Sequence, residues 1–172
     1  MNEMELRFKA NLTNESLARN AVISFVAFLN PTMEQISELK TIISEGVSNA
    51  IIHGYKLNPE RDVIIKASIN KDTLNLIILD YGVGIKDIEQ AKKPNFTTRP
   101  DLERAGMGLS IIDSLSDEFE IQSVVNVGTK LIIKKSLANT KCEIYGNCWR
   151  NNGFNWKSAE RWSRSICKIS PR

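Results

Sequence analysis

The chain has 172 residues, 42% hydrophobic and 25% charged, with 9 Gly and 5 Pro. That length suits one domain, or one domain with an appendage, and the composition excludes a collagen-like, mucin-like or wholly disordered chain. The formal net charge is +3, too small for a body-wide nucleic-acid surface, so no direct nucleic-acid partner is expected. No apolar run approaches the ~20 residues that span a bilayer. Met1–Ala10 alternates charged and apolar residues, unlike a signal peptide. A cytoplasmic protein without a membrane partner is expected.

Met4–Ala10 reads as a strand, with Met4, Leu6, Phe8 and Ala10 on one face. Thr13 and Asn14 are candidate N-caps for a helix over Glu15–Leu29, with Leu17, Ala21, Phe25 and Phe28 as its apolar stripe. Asn30-Pro31 breaks it. Thr32 caps a second helix, and Gln35 completes a capping box. That helix runs to about His53, with Ile36, Leu39, Ile42, Ile43, Val47, Ala50 and Ile51 inward. Asp62–Asn70 and Thr73–Asp80 are strands around a turn at Asn70-Lys71-Asp72. A Gly-rich turn over 81–85 and a short helix over 87–93 follow. Pro94–Arg104 lacks apolar periodicity and reads as a mobile loop. Gly106-Met107-Gly108 opens a helix over Leu109–Leu115. Glu118–Val125 and Thr129–Lys135 form a last hairpin. The order β-α-α-β-β-loop-α-β-β predicts an α+β two-layer sandwich, with a mixed, mostly antiparallel sheet and helices on one face.

The chain changes character near residue 137. All three Cys (Cys142, Cys148, Cys167) and all three Trp (Trp149, Trp156, Trp162) lie beyond it. Residues 138–172 carry seven Lys/Arg and two Asp/Glu, a net +5, which leaves residues 1–137 at −2. The pI of 8.8 therefore belongs to the tail. The cysteines lack CxxC spacing, so zinc is not expected. The tail reads either as a basic, Trp-rich interaction segment or as a frame-shifted or disordered C-terminus. The abrupt change in Cys and Trp usage favours the second.

Three motifs carry chemistry. Glu45 and Asn49 are four apart, so they share one helix face beside the buried stripe. An acid and an amide there need partners, and either a core network or a ligand supplies them. Asp80-Tyr81-Gly82-Val83-Gly84 follows an apolar strand. It places a carboxylate at the sheet rim beside two glycines that permit close backbone approach. Gly106-Met107-Gly108 would expose backbone N–H groups to an anion at a helix start, and Arg99 and Arg104 precede it.

Together, in this order and spacing, the motifs over residues 1–137 resemble the ATP-binding domain of gyrase B-type ATPases, histidine kinases and mismatch-repair ATPases, the GHKL or Bergerat type. Within it, the runs SEGVSNAIIHGY, DYGVGIKDIEQA and FTTRPDLERAGMGLSI resemble the anti-sigma F factors, serine kinases that hold a sporulation sigma factor and phosphorylate an anti-anti-sigma factor. The resemblance implies ATP and Mg²⁺. Asp80 would accept the adenine amino group, with Thr129 as a second adenine contact. Gly82 and Gly84 would pass under the base. Asn49 would ligate Mg²⁺. Gly106, Met107 and Gly108 would donate to phosphates. Thr97, Thr98 and Arg104 would form the lid, with Arg104 on the γ-phosphate. Glu45 would be the general base. Arg19 would belong to a partner-binding surface.

His53, the only histidine, reads as a helix-end residue near the nucleotide. The implied partners are a sigma factor of F type, an anti-anti-sigma factor phosphorylated on serine, and a second copy in a homodimer. The alternatives are a simple ATPase, a detached histidine-kinase catalytic domain, and a nucleotide-gated binding module without phosphotransfer.

Overall fold

A computed structural model describes residues 2–93 and 107–137. Its elements run β1 (Asn2–Lys9), α1 (Asn14–Val26), α2 (Met33–Asn49), β2 (Asp62–Asn70), β3 (Thr73–Asp80), α3 (Ile88–Ala91), α4 (Gly108–Leu115), β4 (Glu118–Val124) and β5 (Gly128–Ser136). A 3₁₀ turn, Ala27–Leu29, extends α1, and a π turn, Ala50–Gly54, extends α2. Residues 94–106 and 138–172, with the loop expected over Pro94–Arg104 and the readings of the tail, lie outside the described residues.

Among the described residues the five strands form one sheet in the order β1-β2-β3-β5-β4, and every neighbouring pair is antiparallel, so the sheet is not the mixed one expected. Alternation decides the buried face. Val63, Ile65, Ala67 and Ile69 of β2 and Leu74, Leu76 and Ile78 of β3 are buried under the helices. Glu5, Lys66, Glu118 and Lys134 lie on the other face, where they pair as Lys66–Glu5 and Lys134–Glu118. Leu39, Ile42, Ile43 and Val47 of α2 are fully buried, so this helix is the centre of the helical layer. Between α2, α4 and β5, the nearly buried Lys135 ammonium donates to the Leu115 carbonyl at 2.6 Å and pairs with Glu38 at 2.8 Å.

The helix starts are a partial correction. Thr32 and Gln35 form the expected capping box, with reciprocal bonds of 3.2 and 2.9 Å. Thr13 stands at the start of α1 but makes no side-chain cap. Asn11 organises that corner instead, accepting from both the backbone N–H and the hydroxyl of Thr13. The buried stripe of α1 is Ala18, Val22 and Val26, while Leu17 and Phe28 are more than half exposed. Both stripes have four-residue spacing. The smaller one is buried where α1 packs against α2 and, less extensively, β1 and β2, leaving its bulkier neighbours at the margin or outside.

Candidate nucleotide site

The site lies where the C-terminal end of α2, the end of β3, the start of β5 and the start of α4 meet. These elements line a cavity of about 710 Å³, whose walls include Asn49, His53, Asp80, Gly84, Gly108 and Thr129.

One end of it is built around Asp80. The carboxylate is 5% exposed. Burial pushes its pKa up to about 6, against backbone N–H donors from Gly82 and Thr129 that favour the ionised form. The Gly82 bond is 2.9 Å long. Register makes Asp80 and Thr129 direct partners across β3 and β5, so both reach this end of the cavity. Gly82 packs directly on the Gly54 carbonyl, and a Cβ there would overlap it. Gly84 has φ +69° and abuts the Val124 carbonyl. These close approaches between protein segments already require both glycines.

Sequence reasoning missed Tyr55. Its buried hydroxyl donates to the Asp62 carbonyl at 2.6 Å and accepts from the Tyr81 N–H at 2.8 Å. With the bond from Val83 N–H to the Gly54 carbonyl, 2.9 Å, it hangs the Asp80 loop from the end of the π turn. The signal was available: a tyrosine directly after the α2 motif has a polar tip that must find a partner when its ring is buried.

The other end joins α2 to α4. A Cβ on Gly108 would lie 2.8 Å from Glu45 Oε2 and 3.1 Å from Asn49 Nδ2. Glycine lets the first turn of α4 come this close without displacing the two polar side chains. The sequence expectation that Glu45 and Asn49 share a face is met, and the glycine of the third motif meets them there. Asn49 Nδ2 is buried without a hydrogen-bond partner, an arrangement that costs about 1–3 kcal/mol unless a ligand relieves it. The start of α4 adds the positive end of a helix dipole. Met107 precedes it and is 38% exposed. His53 lines the cavity, as expected of a helix-end residue near the ligand. Thr97, Thr98, Arg104 and Gly106 lie outside the described residues.

Arg19 is a half-buried member of the seam between α1 and α2. Its guanidinium donates to Glu15 at 2.6 Å and to Ser44 Oγ at 2.9 Å, and Ser44 donates to Glu15 at 2.6 Å. Among the described residues no three His, Cys, Asp or Glu side chains gather as a metal cluster. The donor set that fits a hard cation is the Asn49 amide beside Glu45, which suits an ion completing its shell with phosphate and water oxygens.

Comparison with known proteins agrees with this geometry. The histidine kinase-like ATPase domain family matches residues 8–135. An anti-sigma F factor of Geobacillus kaustophilus is 49% identical over 140 residues, covering 81% of this chain and 96% of that protein. The chain belongs to the anti-sigma F factor family. A member from Priestia megaterium is 47% identical over 141 residues, with the same coverage. Two solved structures share the fold at 17% identity. One is that of the RsbU and RsbW domains of Rv1364c from Mycobacterium tuberculosis, with a TM-score of 0.58, covering 80% of this chain and 33% of that one. The other is the catalytic domain of the histidine kinase ThkA, with a TM-score of 0.51, covering 82% and 99%. The expected family and the α+β sandwich of the GHKL type are thereby borne out.

Proposed function

We propose that this chain is an ATP-dependent protein-serine kinase that also holds a sporulation sigma factor of F type. In this reading it phosphorylates a serine of an anti-anti-sigma factor, and the unphosphorylated form of that factor displaces the sigma factor. The family membership supports the sigma-factor and anti-anti-sigma partners. The observation that carries the kinase reading is the corner where Glu45, Asn49 and the first turn of α4 converge.

ATP with Mg²⁺ would supply the phosphoryl group and neutralise its charge. The chain's own residues do the rest. Asp80 and Thr129 hold the adenine end. Asn49 would hold the metal through its amide oxygen, and a phosphate oxygen accepting from Nδ2 would relieve the unpaired burial of that nitrogen. The N-terminus of α4 at Gly108, with Met107 and Gly106 before it, donates to phosphate oxygens. Thr97, Thr98 and Arg104 would contact them, as the family resemblance implies. Glu45 accepts the proton of the incoming serine hydroxyl and orients its oxygen for in-line attack. Residues 1–137 suffice for this, and residues 138–172 add nothing to it. Arg19 presents a fixed guanidinium on the α1–α2 seam for a protein partner, and a homodimer is the working unit.

Glu45→Gln tests the assignment because it keeps size and hydrogen-bonding capacity but removes basicity. Serine phosphorylation should fall by about 10²–10⁴-fold, with ATP affinity and sigma-factor retention unchanged. Wild-type phosphorylation in the variant would refute Glu45 as the base.

A further inference from the structure

Ser123 stands near the end of β4, directly opposite Thr129 of β5. Its hydroxyl meets three groups. The Ile85 backbone N–H donates to Ser123 Oγ at 2.8 Å. The Gly128 carbonyl lies 3.0 Å from it. Thr129 Oγ1 lies 2.9 Å from it. A serine hydroxyl has one proton and two lone pairs. The Ile85 N–H can only donate and the Gly128 carbonyl can only accept. The serine proton therefore goes to Gly128. The contact with Thr129 then closes in one way: Thr129 donates to Ser123. In the reverse arrangement Ser123 would spend its proton on Thr129 and lose the bond to Gly128.

This fixes what Thr129 offers the cavity. Thr129 is 7% exposed and lines the cavity with Asp80. Its backbone N–H is committed to the Asp80 carboxylate. With its one hydroxyl proton on Ser123, only lone pairs of Oγ1 remain for a ligand. The ionised Asp80 carboxylate is likewise an acceptor. Two neighbouring acceptors suit a group that donates twice, an exocyclic amino group. They oppose a carbonyl oxygen at the same place.

We propose that Ser123 is a positioning residue for base specificity. It commits Thr129 as an acceptor and so makes the site select a 6-amino purine nucleotide over a 6-oxo one. The inference rests on the adenine-nucleotide reading of the cavity, and it gives Ser123 no contact with the base.

The test is the ratio of ATP to ITP affinity, since ITP carries an oxo group where ATP carries the amino group. Both are titrated by calorimetry into the full chain as wild type, Ser123→Ala, Thr129→Ala and the double variant. Wild type should prefer ATP. In Ser123→Ala the Thr129 hydroxyl is released to donate to the oxo group, and the ratio should fall about tenfold, the worth of roughly one hydrogen bond. Thr129→Ala should lower it similarly, and the double variant should go no lower than the single ones. Ser123→Thr, which keeps the hydroxyl, should retain the wild-type ratio. Should the alanine variant unfold, Ser123→Cys, whose sulfur is a poor acceptor of similar size, reads the same quantity. A wild-type ratio in Ser123→Ala or Ser123→Cys, or additive losses in the double variant, would overturn the role of Ser123 alone. Failure of the wild type to bind ATP would overturn both this inference and the adenine reading beneath it.

Discussion

Asp80 should make the nucleotide-free protein less stable as pH rises through 6, and Asp80→Asn should remove that dependence. Burial raises the folded pKa from 3.8 to about 6, so between those values the folded state binds the proton more tightly than the unfolded chain. A raised pKa contributes stability below the unfolded value and loses it as pH climbs through the folded one. Two pH units at 1.36 kcal/mol each amount to about 3 kcal/mol, of which about 2 kcal/mol is lost between pH 4.5 and pH 7. The assay is urea unfolding of wild type and Asp80→Asn without nucleotide across that range. Asparagine disturbs the bonds from Gly82 and Thr129, but that cost is the same at every pH and cancels from the trend. The stability difference, wild type minus variant, should drop by about 2 kcal/mol as pH rises from 4.5 to 7. A flat difference would refute the argument that burial of the carboxylate is only partly compensated without a ligand. Adenine would compensate it, so ATP affinity should rise about tenfold from pH 5 to pH 7.

The remaining predictions concern the two ends of the cavity and the tail. Asn49→Ala should abolish phosphotransfer yet leave the melting temperature unchanged or slightly higher, because the buried amide nitrogen it removes has no partner; a large thermal loss would make Asn49 a structural residue. Tyr55→Phe should cost about 1–3 kcal/mol by urea unfolding, since the part-buried bonds of its hydroxyl to the Tyr81 N–H and the Asp62 carbonyl are both lost; an unchanged midpoint would contradict that account of the Asp80 loop. Deleting residues 138–172 should leave ATP affinity and sigma-factor binding at wild-type values, and a loss of either in a folded protein would give the tail a function.

Much of the fold was legible because its signals were local. Period-two alternation placed β2 and β3 at their observed bounds, and the capping box marked the start of α2. Glu45 and Asn49 could be put on one face because helical geometry fixes the offset. The face of α1 was less legible. Leu17-Ala21-Phe25 and Ala18-Val22-Val26 have the same spacing, and only the closeness of packing on α2 chooses between them.

The site was legible in its residue types and not in their pairings. That Asp80 ends a strand follows from the apolar run before it. That Thr129 lies opposite it depends on strand order, because β5 reaches β3 across the long connection holding α4 and β4. Ser123 and Tyr55 act through side-chain bonds formed over long sequence separations, which no periodicity records. The glycines were noticed as markers of ligand approach, and Gly82 and Gly84 turn out to be required by protein segments already in contact. Gly108 instead faces polar side chains, among them the Asn49 amide, whose nitrogen the protein leaves without a partner.

The central claim is that the corner of Glu45, Asn49 and Gly108 transfers phosphate to a partner's serine. Its most direct measurement is incubation of the chain with γ-labelled ATP and an anti-anti-sigma protein, followed by mapping of the labelled amino acid. The account predicts label on a serine of the partner and loss of that label in Glu45→Gln. Label on a histidine, or label released only as free phosphate while the partner stays unmodified, would contradict it.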